Sequence, residues 1–315
     1  GRTSLLGDIV NASPSYVKEP NRRNRNGLTY PQGDNLYSNF VSDATVSVRP
    51  AMIYVGSNDG MLHGFDAETG QERLAFIPNE VLTGAFNNRL ADLSSPNYQH
   101  QYYIDLTPVA EDIFVGPPIE ADAIDNAGKT WHTVLMGGYN NGGKGYFALN
   151  ITDSAQFAGA YTGDDLVFWE FTEDDDTYPL DSSGNAFVDG DSKLFNDYQT
   201  PGKPIKDLGY STSAPVIVMS NILDDSGERE WMSFFGNGRN STSGIAKLFG
   251  LIMDRGRDGV WCHPDSLLGN ELSLREDCGS DDYDFIKIST GAGAQNINDV
   301  FVPNALGTPR AIDVD

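Results

Sequence analysis

Residues 52–78, MIYVGSNDGMLHGFDAETGQERLAFIP, carry the clearest structural pattern in the chain. Three apolar pieces, IYVGS, MLHGFD and RLAFIP, are joined by the turns NDG (58–60) and AETG (67–70). Both turns are typical of tight hairpins, in which glycine adopts a positive φ without steric cost. The pattern predicts a three-stranded antiparallel meander, which is most of one propeller blade.

Two later stretches repeat this pattern. They are WHTVLMGGYNNGGKGYFALNIT at residues 131–152 and WMSFFGNGRNSTSGIAKLFGLIMD at residues 231–254. In each copy an apolar strand ending in Gly leads through an Asn/Gly turn to an apolar strand ending in Asn or Asp. Because the copies start roughly 80 to 100 residues apart, they indicate blades that carry long insertions.

Short apolar runs and period-two alternation predict strands along the whole chain. They lie at residues 9–16, 52–57, 61–66, 73–78, 102–105, 132–137, 145–150, 166–171, 214–219, 230–236, 246–253 and 285–289. Helical spacing of apolar residues occurs at 79–93, which predicts a short helix within a loop. The predicted fold class is all-β, a modified and partial β-propeller with about four visible blades, long inserted loops and minor helix.

The last residues, AIDVD, follow what looks like the entry to another strand. A propeller closes when its first and last blades pair, and an open fragment leaves sheet edges exposed. We therefore expect residues 1–315 to form a single β-propeller domain that is truncated at its C-terminal end before the remaining blades. The first residues, GRTSLLGDIV, do not form a signal peptide, so we expect a mature or trimmed product.

The charge balance argues against two classes of partner. The 315 residues include 45 acidic and 21 basic side chains, which gives a formal net charge of −24. A nucleic-acid-binding surface needs clustered cations to displace counterions from phosphates, and here the cations are outnumbered about two to one. No apolar run approaches the roughly 20 residues that span a bilayer, so we expect no membrane insertion.

Catalytic patterns are scarce in the chain. No nucleophile elbow, zinc-binding helix, Walker loop or dinucleotide fingerprint follows a strand in the required way. His63 and His132 lie within or at the edge of apolar strands, which favours packed groups over general bases. We therefore expect no catalytic residues and no enzymatic activity.

The two cysteines, Cys262 and Cys278, lie in a turn-rich acidic segment. On the residues alone, they fit either one disulfide in an oxidising compartment or two free thiols. A zinc site is disfavoured, because His263 is the one histidine nearby and the spacing fits no zinc finger.

Several stretches, in a fixed order, match a known family pattern. The most specific are GDIVNASP at 7–14 and YVGSNDGMLHGFDA at 54–67. The others are YQHQYYIDLTPVAED (98–112), WHTVLMGGYNNGGKGYFALNIT (131–152), VFWEFTEDDD (167–176), LGYSTSAPVIV (208–218) and FFGNGRNSTSG (234–244). In order and approximate spacing the chain resembles the PilC/PilY family of type IV pilus tip proteins, in their C-terminal β-propeller domain. One departure is Asn150, where the family usually has Asp.

This resemblance implies a function that composition and periodicity do not show. It implies a non-enzymatic protein exported through the periplasm and outer membrane to the cell surface, at the pilus tip. There it would contact minor pilins, support pilus biogenesis, oppose retraction and mediate surface adhesion under the control of calcium. With this resemblance, we expect Cys262 and Cys278 to be joined in a disulfide.

The candidate metal site is the loop DSSGNAFVD at residues 181–189. Oxygen-bearing side chains stand at positions 1, 3, 5 and 9, and a carbonyl is available at position 7, a spacing that suits Ca²⁺ with its six to eight oxygen ligands. The ligands would be Asp181, Ser183, Asn185, the Phe187 carbonyl and Asp189. The loop is similar to the family's nine-residue calcium loop, with Ser183 in place of an acid. The alternative interpretation is an ordinary solvated acidic loop, because the same residue types favour turns.

Two other acidic groups have simpler interpretations. Asp313 and Asp315 form the D-x-D start of a second such loop, but the chain ends there. The run at residues 174–176 is most simply a solvated acidic turn.

Two other functional classes stay open. A quinoprotein (PQQ) dehydrogenase propeller has a repeat similar to VGSNDGMLHGFDAETGQ and also uses calcium, although Phe76 stands where that repeat carries Trp. A carbohydrate-binding propeller would use some of the four Trp and 14 Tyr side chains for stacking.

Overall fold

The chain is built from antiparallel strands with a few short helices, as seen in a computed structural model. The structure describes residues 6–20, 36–83, 90–116, 128–159, 162–176, 206–224, 227, 229–257, 259, 261–262, 284–293, 295–297, 300–302 and 305–310. The strands of this part are β1 (Ser15–Val17), β2 (Met52–Gly56), β3 (Leu62–Asp66), β4 (Glu72–Phe76), β5 (Val109–Val115), β6 (Thr130–Gly138), β7 (Gly145–Asn150), β8 (Val167–Thr172), β9 (Val216–Leu223), β10 (Arg229–Gly236), β11 (Ile245–Ile252), β12 (Phe285–Gly293), β13 (Gln295–Ile297) and β14 (Val300–Val302). Its α-helices are α1 (Tyr37–Ser42), α2 (Asn79–Thr83) and α3 (Gly163–Leu166).

The strands form three four-stranded antiparallel meanders in chain order. Blade 1 is β1–β4, blade 2 is β5–β8 and blade 3 is β9–β12, while β13 and β14 make a separate hairpin. The first strands are neighbours, since β5 contacts both β1 and β9. The blades therefore stand side by side around a common axis, as in a propeller, and within the described residues they do not close into a ring.

Two hydrophobic cores lie between the blades. On β6, Leu135 packs with Met52 of blade 1, whereas its neighbours Val134 and Met136 pack with blade 3. Side chains alternate across a strand, so the central sheet is apolar on both faces and its strands read as nearly continuous apolar runs. At the second seam, Tyr146 and Phe235 have ring centroids 4.0 Å apart.

The all-β prediction is confirmed, and the differences from the predicted strands have local causes. Residues 102–105 form no strand, because the buried Asp105 carboxylate accepts hydrogen bonds from the Asn11 N–H at 3.0 Å and from the Asn140 side chain at 3.0 Å. Strand β5 was not predicted, since Glu111 and Asp112 interrupt its apolar pattern. The predicted helix at 79–93 is α2 followed, beyond the undescribed residues 84–89, by the 3₁₀ helix Leu90–Ser94.

In blades 1 and 3, the segment that follows the blade packs on a hairpin turn of that blade, and an Asn side chain of the turn accepts a hydrogen bond from it. In blade 1 the Asn58 side-chain oxygen accepts the Tyr103 N–H at 3.0 Å, and in blade 3 the Asn237 oxygen accepts the Leu306 N–H at 3.2 Å. At Gly56, which ends β2, a Cβ atom would lie 2.3 Å from the Ile104 carbonyl oxygen. The glycine that ends this strand is therefore required by the close approach of the next segment.

A second repeated contact is made by the residues just before the first strands of blades 1 and 3. The Ser13 N–H donates to Thr107 Oγ1 at 2.9 Å, and the Ala214 N–H donates to Thr308 Oγ1 at 3.0 Å. Both donors precede a proline that opens a first strand, and Thr107 precedes the proline that opens β5. The entries of blades 1 and 3 thus each donate a backbone N–H to a threonine that precedes a proline.

Candidate functional site

The predicted calcium ligands lie outside the described residues. This holds for Asp181, Ser183, Asn185, Phe187 and Asp189, and also for Asp313 and Asp315. The calcium site therefore stays a prediction. Among the residues that the structure describes, no group of three or more His, Cys, Asp or Glu side chains is arranged to hold a metal ion.

The two flanks of the segment that contains the predicted loop are clamped together. Asp176, the last residue described before it, accepts the N–H groups of Asp207 and Leu208 through Oδ2 at 2.7 Å each. Asp176 is fully buried, so its interpretation as part of a solvated turn is wrong, whereas Asp174 is exposed. The described residues on the two sides of positions 177–205 are thus held together at one place.

Blade 3 holds this clamp through two buried lysines. Lys287 Nζ of β12 lies 3.2 Å from Asp176 Oδ1 and 3.0 Å from Asp207 Oδ2. Lys247 Nζ of β11 lies 3.0 Å from Asp207 Oδ2. Burial raises the pKa of Asp176 to about 6, against the opposing effect of Lys287. Two carboxylates and two ammonium groups balance in charge, as buried ions must to offset their desolvation.

The turn after β8 gathers further acidic groups beside the clamp. Asp175 Oδ2 accepts the Thr172 N–H at 2.8 Å, which ends the strand. Glu173 pairs with Lys144 at 2.7 Å, and Lys206 pairs with Asp174. This end of blade 2 is therefore acidic and partly neutralised by lysines.

A second buried ion cluster joins blades 2 and 3 at the opposite end of β11. Lys129 Nζ lies 3.3 Å from Asp224, 3.6 Å from Glu230 and 3.2 Å from Asp254. All four side chains are at most 3% exposed. Burial raises the pKa of Glu230 to about 7 although Lys129 opposes it. The arrangement links blades 2 and 3 through buried charges.

Two histidines lie in strands, where His63 is buried and His132 is half-buried. His63 on β3 lies between Glu72 Oε1 at 2.5 Å and Asp59 Oδ1 at 3.1 Å. Burial alone would lower the pKa of His63, but the two carboxylates outweigh it and raise the pKa. Burial lowers the pKa of His132 on β6 to about 4, so this ring is neutral at physiological pH. His263 lies outside the described residues.

The tryptophans are not available as a stacking surface. Trp131, Trp169, Trp231 and Trp261 are each at most 6% exposed. Trp131 packs edge-on against Trp231, with centroids 6.1 Å apart, and Trp169 packs likewise against Trp261 at 5.4 Å. Carbohydrate stacking on these four side chains is therefore ruled out, because they form the seam between blades 2 and 3.

Sequence reasoning missed both buried ion clusters. Their members are far apart in the chain, so no local pattern joins them. One signal was present: Lys247 and Lys287 each interrupt an apolar strand, in IAKLFGLI and FIKIS. A lysine in a buried strand position needs a carboxylate partner, because an unpaired buried charge is costly.

The fold and these motifs can be compared with known proteins. Residues 6–241 match the family model described as the PilY1 beta-propeller domain. The chain belongs to this family. The expected family and the propeller fold are both confirmed. The crystal structure of the Pseudomonas aeruginosa PilY1 C-terminal domain agrees with this fold. It matches with a TM-score of 0.52 at 26% identity, over 95% of this chain and 40% of that one.

Curated relatives of PilY1 type are similar over most of this chain. The type IV pilus biogenesis factor PilY1 of Pseudomonas aeruginosa PAO1 is 32% identical over 303 residues, which are 90% of this chain and 20% of that protein. A PilY1 homolog of Xylella fastidiosa is 31% identical over 247 residues, 78% of this chain and 15% of that protein. The chain thus spans a fifth or less of the length of these relatives.

Proposed function

We propose that this chain is the propeller portion of a type IV pilus biogenesis factor that works at the pilus tip on the cell surface. The observation that carries the proposal is the family match over residues 6–241, together with relatives described as pilus biogenesis factors. In this proposal the protein contacts minor pilins, opposes pilus retraction and contributes to surface adhesion. It is a binding and assembly protein without catalytic activity.

The buried charges support a structural role for the propeller. Lys129, Lys247 and Lys287 all lie against carboxylates in the seam between blades 2 and 3. Such groups hold sheets in one arrangement, since displacing either partner leaves a buried charge uncompensated. A rigid propeller can present its long insertions to a pilin or a surface, which is how loops commonly carry binding.

We further propose that Ca²⁺ binds Asp181, Ser183, Asn185, the Phe187 carbonyl and Asp189. The donor set consists of oxygens, which calcium prefers, and it includes two carboxylates for charge. The clamp of Asp176 on Asp207 and Leu208 supports the proposal, because it anchors both ends of the segment to blade 3. Bound calcium would offset the repulsion between the carboxylates and order the loop.

The pilus role is tested in cells that produce the full-length protein from which residues 6–241 have been removed in frame. We expect such cells to show few or no surface pili by electron microscopy, while the variant protein is still made and exported. Normal numbers of pili would contradict a role of the propeller in pilus biogenesis.

The calcium site is tested by titrating Ca²⁺ into the purified chain by isothermal calorimetry. We expect one binding event that Asp189→Ala abolishes and that the matched control Asp164→Ala, at an exposed carboxylate of α3, leaves unchanged. Binding that survives Asp181→Ala and Asp189→Ala together would place the ion elsewhere.

A further inference from the structure

Helix α2 connects blade 1 to blade 2, and the Glu170 carboxylate makes part of this contact. The Asn79 N–H donates to both oxygens of Glu170 on β8, at 2.8 and 3.1 Å, and the Glu80 N–H also hydrogen-bonds to Glu170. Val81, on the same helix, is 3% exposed and belongs to the core between blades 1 and 2. The helix thus follows β4 of blade 1 and is attached to the outer strand of blade 2.

The Glu80 side chain is buried at this junction. It is 9% exposed, and its Oε1 atom has no hydrogen-bond partner among the described residues. The Tyr139 hydroxyl of the β6–β7 turn is also buried there without a partner among those residues. A buried carboxylate without partners is costly when it is charged, whereas the protonated form is much less so.

The charged groups around Glu80 are mostly of its own sign. Those that act on it from β8 and the following turn are Glu170, Glu173, Asp174 and Asp175. The nearby cations, Lys144 and Lys206, are engaged with Glu173 and Asp174. Burial, and then these carboxylates, raise the pKa of Glu80 from 4.5 to about 7.

We propose that Glu80 is a proton-dependent contact between blades 1 and 2, closed when its carboxyl group is protonated and weakened when it is ionised. The protonated carboxyl fits the buried position next to Glu170. The ionised form faces four carboxylates and has no partner for Oε1 among the described residues. Ionisation therefore favours the arrangement in which α2 lifts from β8 and Glu80 reaches water.

The direction of the pH effect follows from where the proton is held more tightly. In an opened helix the Glu80 carboxyl is solvated and has its ordinary pKa of 4.5, and in the closed junction the pKa is about 7. The closed state therefore binds the proton better, and its advantage declines as pH rises from about 4.5 through about 7. The junction is tight at mildly acidic pH and loose at alkaline pH.

Hydrogen exchange of the α2 amides measures this opening directly. In the full chain we compare wild type with Glu80→Gln, which keeps the shape and cannot ionise, at pH 5 and at pH 8. At pH 5 the wild-type amides should exchange only about fourfold faster than those of Glu80→Gln, because the carboxyl of the opened form is then only partly ionised. At pH 8 the wild-type amides of residues 79–83 should exchange faster than those of Glu80→Gln, on the order of a hundredfold, because a pKa difference of this size corresponds to such a factor.

Two further variants make the test specific. Glu68→Gln, at an exposed hairpin position of blade 1, should behave as wild type at both pH values. Asp174→Asn removes the strongest of the acidic neighbours of Glu80. In this variant, the pH midpoint at which the α2 amides begin to exchange faster should be lower than in wild type. The proposal is overturned if Glu80→Gln and wild type keep the same exchange ratio at pH 5 and pH 8, or if Asp174→Asn leaves the midpoint unmoved.

Discussion

Replacing Lys287 by methionine removes one of the two cations from the buried cluster that contains Asp176, Asp207 and Lys247. The Lys287 side chain is 5% exposed and its ammonium group lies within 3.2 Å of two carboxylates. After the replacement, two buried carboxylates share one ammonium group. Breaking a buried ion pair from one side typically costs about 3–5 kcal/mol, so we expect the free energy of unfolding to fall by that amount at pH 7.5.

The loss should depend on pH in a defined direction. Lys287 is the group that most lowers the pKa of Asp176, which is already about 6 because of burial. Without Lys287 the pKa rises further, so Asp176 takes up a proton and removes the uncompensated charge when pH falls. The difference between Lys287→Met and wild type should therefore be smaller at pH 5 than at pH 7.5.

Urea unfolding followed by tryptophan fluorescence gives the required free energies, because all four tryptophans are buried. Asp176→Asn combined with Lys287→Met should recover part of the loss, since it restores the balance of charge and keeps an oxygen for the Asp207 and Leu208 N–H groups. The matched control Lys18→Met, at a lysine whose side chain is 46% exposed, should change stability little. If the free energy of unfolding of Lys287→Met lies within about 1 kcal/mol of wild type at pH 7.5, the Lys287 charge does not stabilise this cluster.

Three shorter predictions concern other parts of the fold. Burial raises the pKa of Glu230 to about 7, so wild type loses stability as pH rises from about 4.5 through that value. The stability of Glu230→Gln minus that of wild type should therefore be greater at pH 8 than at pH 5. Equal differences at the two pH values in thermal melts would contradict this. Gly56→Ala should lower the free energy of unfolding by several kcal/mol, since the added Cβ would lie 2.3 Å from the Ile104 carbonyl oxygen. The control Gly163→Ala has open space around the added Cβ and should lower it little. Similar melting temperatures for the two variants would argue against the close approach of Ile104 to Gly56. Cys262 and Cys278 should show no titratable thiol in the unreduced protein, and closing a loop of about 17 residues would contribute about 3 kcal/mol; two reactive thiols would reject the disulfide.

Strands β2, β3 and β4 of blade 1 could be predicted because their information is local, whereas of the predicted strand at 9–16 only residues 15 and 16 lie in β1. The hairpin turns after β2 and β3 carry glycines at Gly60 (φ 88°) and Gly70 (φ 71°), and alternation marks the strands between them. Strand β5 could not be predicted in this way. Its Asp112 is buried because the Tyr37 hydroxyl and Thr133 Oγ1 each donate to it at 2.7 Å, and Tyr37 comes from a distant insertion.

The calcium loop stays a prediction, whereas the clamp at its flanks is observed. A calcium loop is a local pattern, so residues 181–189 could be proposed from spacing alone. The clamp at its flanks depends on Asp176, Asp207, Lys247 and Lys287, which come together only after blades 2 and 3 pack. Glu80 gave no signal either, because in sequence it looks like an ordinary acidic residue in the first turn of a helix.

In the described part of the chain, no helix is long and apolar enough to cross a bilayer.

The most direct test of the proposed function counts surface pili on cells whose full-length protein carries Asp181→Ala and Asp189→Ala in this propeller. We expect fewer pili and weaker attachment than in wild-type cells, in medium that contains calcium. Cells with the control Asp164→Ala should match wild type, and chelation of calcium should reduce the pili of wild-type cells to the level of the double variant. Wild-type numbers of pili on cells with the double variant, with the protein present at its normal level, would contradict calcium control of pilus biogenesis through this propeller.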